Sequence, residues 1–342
     1  MNNSKTASET TFRTLFEFEA SERKIVPNSN LLFIGSCFTQ NIGDKCTNSG
    51  LNTKINPFGI VYNPISIGMQ LERLMRQKFY VEEEVLFANG LYHTFDHHSS
   101  YSNSNKEVFL ANVNQELGQS GEFLNKSDFL FITFGSAFVY EYNENTQLVA
   151  NCHKYPSKCF NQRLLQIDEI VDSYTTLLTK LLNLSKTLNI VLSISPIRHL
   201  KDGLQRNNTS KSTLILAIAK LQEIFPQITY FPAYEIVLDE LRDYRFFSDD
   251  LVHLNSTAVN YIWSRFVETF FHDSTSVLAK DYNKILNDLN HRPFNSRGDE
   301  YYKFLLNLKQ KVDLFKKNHQ YCISNNFKEQ VNTLFKCLEN NG

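Results

Sequence analysis

Two short stretches, more than two hundred residues apart, carry side chains able to do chemistry together. The first is Leu31-Leu32-Phe33-Ile34-Gly35-Ser36-Cys37-Phe38-Thr39, in which an apolar run ends at a glycine and delivers Ser36 to the start of a helix. The second is Asp249-Asp250-Leu251-Val252-His253-Leu254-Asn255, with Asp250 and His253 three residues apart in a loop before another helix. A serine hydroxyl is almost fully protonated at neutral pH and must lose its proton as it attacks. An imidazole held through one nitrogen by a carboxylate presents its other nitrogen as the base for that step. Each stretch also has a plainer reading. Serine is a favoured N-cap, and aspartate commonly decorates a helix entry.

The surrounding pattern predicts the elements that would position these groups. Leu31 to Ile34 reads as a buried strand, and a helix is expected from about Cys37 to Asn48. Leu51 to Ile55 reads as a second strand, followed by the shaped loop Asn56-Pro57-Phe58-Gly59-Ile60-Val61-Tyr62-Asn63-Pro64 and a helix carrying Ile67, Leu71, Leu74 and Met75. A hairpin is expected over Val85 to His98, with Asn89-Gly90 at its tip. Phe129 to Phe134 is a further buried strand. Ala137 to Tyr142 and Gln147 to Ala150 form a second hairpin that delivers Asn151-Cys152-His153-Lys154. Helix Asp168 to Leu184, strand Ile190 to Ile194, helix Ser210 to Ile224 and strand Ile228 to Phe231 follow, then an amphipathic helix over Asn255 to Phe271. Phe12 to Glu19 is expected as an edge strand or strap, and Val277 to Gly342 as a helical extension. This succession of strand, loop and helix predicts an α/β fold with a mostly parallel sheet, its reactive loops gathered at the carboxyl ends of the strands. The expected division is an α/β domain with its strap over 1–271 and a helical segment over 272–342.

Composition narrows the function classes. The chain has 342 residues, a formal net charge of -1 and 21% charged residues, with no concentrated basic stripe of the kind a nucleic-acid surface needs. Its first residues, Met1 to Thr11, are polar and lack the apolar stretch of a secretory signal, and no run approaches a membrane span, so the default expectation is a cytoplasmic protein with no membrane partner. The six cysteines lie at 37, 46, 152, 159, 322 and 336 without paired spacing, as free thiols in a reducing compartment do. The 28 Phe and 16 Tyr supply core and groove lining, and exposed rings can also stack on sugars or pack acyl chains.

Together the two reactive stretches resemble the SGNH (GDSL-like) hydrolase superfamily. Gly35-Ser36-Cys37-Phe38-Thr39 resembles more closely the GSCFA domain family, with Thr39 where the family name has Ala. The resemblance extends through Asn56-Pro57-Phe58-Gly59-Ile60, Tyr62-Asn63-Pro64, Phe134-Gly135-Ser136-Ala137, Ala150-Asn151-Cys152-His153-Lys154, Ser195-Pro196-Ile197-Arg198-His199 and Tyr244-Arg245-Phe246-Phe247, covering most of Phe12 to Phe271. It implies a three-layer α/β/α fold and a serine acyl hydrolase or acyltransferase. Ser36 would be the nucleophile, His253 the base and Asp250 its orienting partner. In the superfamily an oxyanion is held by the nucleophile's N–H, a glycine N–H after the second strand and an Asn side chain after the third. Gly59 matches the glycine. The Asn belongs to a Gly-x-Asn-Asp string, replaced here by Gly135-Ser136-Ala137-Phe138, which leaves Asn151 as the expected substitute and Asn56 and Asn63 behind it.

The expected reaction is metal-independent, cofactor-free hydrolysis of a small-molecule or carbohydrate acyl ester, acetyl included. An acyltransferase with the same residues and a non-catalytic glycan-binding module are the alternatives. His199 is a rival base or substrate ligand at the same sheet edge. Arg198 beside it can clamp an anionic group or form a structural ion pair. Metal binding by His93, His97 and His98, or by Cys152, His153 and Cys159, lacks a recognisable ligand spacing.

Overall fold

The computed structural model describes residues 14–15, 17, 21–289, 299–319 and 331. In chain order the elements are β1 (Asn30–Gly35), α1 (Cys37–Thr47), β2 (Asn52–Ile55), α2 (Pro64–Arg76), β3 (Leu86–Ala88), β4 (Leu91–His93), α3 (Lys106–Asn125), β5 (Phe129–Phe134), β6 (Phe138–Tyr142), β7 (Leu148–Val149), β8 (Phe160–Leu164), α4 (Ile167–Leu184), β9 (Asn189–Ile194), α5 (Leu204–Ile224), β10 (Thr229–Phe231), α6 (Ala233–Glu235), α7 (Ser256–Phe270), α8 (Asp273–Leu289) and α9 (Asp299–Asn318).

Five strands form a central sheet in the order β10-β9-β5-β1-β2, every pairing parallel. Side chains alternate across a strand, and here the alternation sorts the core in two. Leu32, Ile34, Leu130, Ile132, Phe134, Ile190, Leu192 and Ile194 pack with α2, α3, α4 and α5. Leu31, Phe33, Phe129, Phe131, Val191 and Phe231 pack with α1, α7, α8 and α9. Both faces are covered, so each strand reads as a continuous apolar run rather than an alternating one. The layering follows from handedness. A right-handed crossover from β1 to β2 puts α1 on one face, and reversing direction from β2 to β5 puts the next helices on the other.

That reversal falls between β1 and β5. Crossover loops diverge there, and open α/β sheets bind their ligands in the resulting crevice at the carboxyl ends of the strands. Ser36 leaves β1 at this point.

Two small antiparallel sheets decorate the same chain. β3 and β4 form the hairpin expected around Asn89-Gly90, while β6 pairs with both β7 and β8. β8 was not expected, because its polar Asn161, Gln162 and Arg163 hide the strand pattern. α3 was not expected either: Phe109, Val113, Leu117 and Leu124 form its buried stripe, but three asparagines and two glycines within it read as loop. α5 begins at Leu204, a turn and a half before the expected Ser210. The expected strap over Phe12 to Glu19 lies mostly outside the described residues, as do 320–330 and 332–342 of the extension. Within the extension, α8 and α9 contribute Leu278, Tyr282, Ile285, Leu308, Val312 and Phe315 to the core that also holds Ile25, Phe38 and Leu51. No described helix is long and apolar enough to cross a membrane.

Candidate functional site

Ser36 occupies the N-cap position of α1 in extended backbone, yet its hydroxyl caps nothing. The residue is 1% exposed, and its Oγ is buried with no hydrogen-bond partner among the described residues. Leaving a buried hydroxyl unpaired costs about 1–3 kcal/mol, and such exceptions call for a reason outside stability. Helix capping is therefore not what keeps this serine in place.

The backbone before it is tightly built. Gly35 adopts φ +142°, and a Cβ there would sit 2.2 Å from the Thr133 carbonyl oxygen of β5. Only glycine lets β1 turn out of the sheet this close to its neighbour. The Gly35 N–H donates to Asn56 Oδ1 at 2.9 Å, and Asn56 Nδ2 donates to Gln40 Oε1 at 3.2 Å. The Asn56 to Pro64 loop is thereby tied to the serine turn. It continues over the end of β5, where the Tyr62 carbonyl accepts from the N–H groups of Gly135 and Ser136.

The Asp250 to His253 segment is a second constructed turn. Asp250 Oδ1 accepts from the N–H groups of Val252 and His253, each at 2.9 Å, and Oδ2 accepts from His253 Nδ1 at 2.6 Å. A carboxylate only accepts, so Nδ1 carries the proton and Nε2 is left as the basic nitrogen. These three bonds, that from His253 first, hold the Asp250 carboxyl down at about 2. Leu251 pays for the turn with φ +58°, a left-handed conformation that branched side chains rarely adopt. The cap of α7 is Asn255, which accepts from Ala258 N–H, so the helix makes no claim on Asp250.

Both turns lead into helices that pack in one core cluster. Phe38 and Ile42, just past Ser36, share one core cluster with Leu254, Ala258 and Ile262, just past His253. Lys45 of α1 also donates to Asn260 of α7 at 2.7 Å. No hydrogen bond joins Ser36 to His253, however, because the Ser36 hydroxyl bonds to nothing. Helices α1 and α7 thus pack on the same face of the sheet, with Ser36 buried at the start of one and the His253 side chain 57% exposed before the other.

A family model described as GSCFA family matches residues 30–266, and another, described as GSCFA domain protein, C-terminal domain, matches 282–340. The chain belongs to the GSCFA family. No curated protein matches it.

The remaining expected site residues of this GSCFA protein fall into different environments. Gly59 has φ +79° and its N–H donates to the Asn56 carbonyl at 2.7 Å, which commits that N–H to the loop rather than to an oxyanion. Asn63 caps α2. Asn151 Oδ1 accepts from His153 N–H, and Asn151 N–H donates to the Phe95 carbonyl, so the residue shapes the loop beside the histidine cluster. His199 N–H donates to Asn207 Oδ1, and its ring meets Tyr62 edge-on with centroids 5.0 Å apart. Arg198, half-buried, makes no hydrogen bond or ion pair with the described residues. It lines a cavity of ≈ 440 Å³ with Pro196, Tyr244, Phe247 and Leu251, between the end of β9 and the Asp250 turn.

His93, His97 and His153 pack as core rings. His93 stacks on His153 at 4.2 Å between centroids, while His97 Nδ1 pairs with Thr94 Oγ1 and His153 Nε2 with the Thr94 carbonyl. Burial pushes His97 down to about 3 and His153 to about 4, so both are neutral at physiological pH. Among the described residues, no group of three or more His, Cys, Asp or Glu is arranged to hold a metal ion.

Lys211 is the residue the sequence reading passed over. It is 1% exposed, and its ammonium donates to the carbonyls of Gly135 and Ser195, at the ends of β5 and β9, each at 2.6 Å. Burial drives it down to about 7, with the nearby Cys37 thiol pulling weakly the other way. The signal was present: Asn207, Lys211, Leu214, Ile218 and Leu221 follow helical spacing on the buried face of α5, and a lysine on such a stripe calls for a partner. Cys37 itself is raised, chiefly by burial, and stays a thiol at neutral pH, so it is no rival nucleophile.

Proposed function

We propose that this protein is a serine-dependent acyl-ester hydrolase of the SGNH (GDSL-like) type, acting on a small or carbohydrate O-acyl ester such as an acetyl ester. The observation that carries the reading is the unpaired, buried Ser36 hydroxyl at the sheet's reversal point, in a fold that also supplies an aspartate-held imidazole. In the reaction, Ser36 Oγ attacks the ester carbonyl and His253 Nε2 takes its proton. The same imidazole returns that proton to the leaving alcohol, and a water activated by His253 then clears the acyl group from Ser36. Asp250 fixes the tautomer and stabilises the imidazolium between the two transfers. The N–H groups of the first turn of α1, which have no intrahelical acceptor, are the donors this reading assigns to the developing oxyanion.

Ser36 is buried, so under this reading attack follows a shift that exposes its Oγ and brings His253 within reach. An acyl acceptor other than water turns the same residues into an acyltransferase. A non-catalytic glycan-binding cleft is the second reading; the open contact between Ser36 and His253 and the committed Gly59 N–H favour it. A fluorophosphonate separates the readings, because it phosphonylates an activated serine and leaves an inert one alone. Stoichiometric mass gain mapped to Ser36, absent in Ser36→Ala, is expected of the hydrolase.

A further inference from the structure

We propose that the cavity between the end of β9 and the Asp250 turn binds a small molecule through an anionic group, a carboxylate, phosphate or sulfate, with Arg198 as the partner of that group. Under the hydrolase reading, on which the assignment of this molecule as substrate rests, the ester acted on is therefore an acidic one.

The argument begins with charge. Four charged residues line the cavity: Arg198, Asp239, Arg242 and Asp243. Arg242 Nη2 pairs with Asp239 Oδ1 at 2.5 Å. Asp243 accepts from the Arg245 backbone N–H at 2.9 Å, with the Arg245 guanidinium 3.9 Å from its other oxygen. Each lining carboxylate thus has an arginine, and Arg198 is the lining charge left over. Its guanidinium offers five N–H donors and uses none of them on the described residues.

Arg198 acts electrostatically on Tyr234, with Glu235 acting in the opposite sense. An arginine fork matches the two oxygens of a carboxylate or phosphate, and in a concave site its bonds to them are of the strong, charge-assisted kind.

Size and lining fit a small organic acid rather than a bare ion. A volume of ≈ 440 Å³ lies within the range of small-molecule sites. Tyr244 is 70% exposed and Leu251 56% exposed on its rim, large apolar surfaces that a ring or acyl chain would cover. Leu251 is also the strained residue between Asp250 and His253, so a molecule held by Arg198 lies against the turn that carries the base.

The test is calorimetric titration of the full chain with glucose, glucuronate, glucose 6-phosphate and glucose 6-sulfate, for wild type, Arg198→Gln and Arg198→Lys. At least one acid is expected to bind tenfold or more tightly than glucose. That preference should vanish in Arg198→Gln and return in part in Arg198→Lys, whose folds are checked by circular dichroism; which acid wins identifies the anion. Equal binding of all four sugars by the wild type, or an undiminished preference in Arg198→Gln, overturns the proposal. Ser36→Ala should keep the preference, so an acid-selective cleft in a protein whose Ser36 never reacts with a fluorophosphonate upholds the anion site and removes only the hydrolase reading.

Discussion

Lys211→Met perturbs a fully buried group whose hydrogen bonds hold two strand ends together. In the unfolded chain a lysine keeps its proton up to about 10.4. In the folded protein burial lowers it to about 7. Below about 7 both states are protonated, and the fold carries the whole penalty of a buried ammonium. Between the two values only the unfolded chain binds the proton, so stability rises with pH across that interval. At about 1.4 kcal/mol per pH unit, an interval of about 3.4 amounts to roughly 5 kcal/mol, gained progressively toward pH 10. Lys211→Met lacks this titration and also leaves the Gly135 and Ser195 carbonyls without their donor. The assay is urea unfolding of both proteins from about pH 6 to about pH 10, followed through Trp263, the sole tryptophan. The stability of wild type minus variant should climb by several kcal/mol as pH rises. A difference that stays flat refutes the reasoning, since it would mean that Lys211 titrates alike in both states.

Two substitutions test the serine and histidine turns separately. Gly35→Ala forces a Cβ to within 2.2 Å of the Thr133 carbonyl oxygen at a φ of +142°, so it should lower the urea midpoint sharply or prevent folding; a variant as stable as wild type contradicts the described exit from β1. Asp250→Asn exchanges the acceptor of the His253 Nδ1 proton for a group that also donates, so ester turnover should fall by roughly 10²–10⁴ with the fold intact. Because Asp250 titrates at about 2, the wild type should show no inflection from it in the mildly acidic range; activity equal to wild type in the variant rejects the orienting role.

The sheet was legible because its strands are apolar on both faces. Phe129–Phe134 and Asn189–Ile194 are close to unbroken hydrophobic runs ending at small residues, and the helices between them carry clean stripes, as in Ile170, Tyr174, Leu177 and Leu181 of α4. α3 escaped notice because Gly121 sits inside it, where a Cβ would lie 3.0 Å from the Leu74 carbonyl of α2: a glycine that marks close helix packing looks, in sequence, like a loop. The Asp250 and His253 pairing was legible from a spacing of three residues, since the turn is local. The use made of Gly59 and Asn151 was not. Whether an N–H or amide faces a substrate or its own loop depends on turns built from Asn56 and His153, both at positive φ, and sequence does not announce left-handed asparagine and histidine. Lys211 was legible in principle as a charge on a buried stripe, but its two carbonyl partners come from the ends of two different strands, 76 and 16 residues away.

The central claim is that Ser36 is a nucleophile served by His253, and direct chemical labelling tests it with least intervention. Full-length protein treated with a fluorophosphonate should gain one phosphonyl group at Ser36, with labelling slowed strongly in His253→Ala and absent in Ser36→Ala. Folded wild-type protein that stays unlabelled at Ser36, or that labels equally fast without the His253 imidazole, contradicts the account.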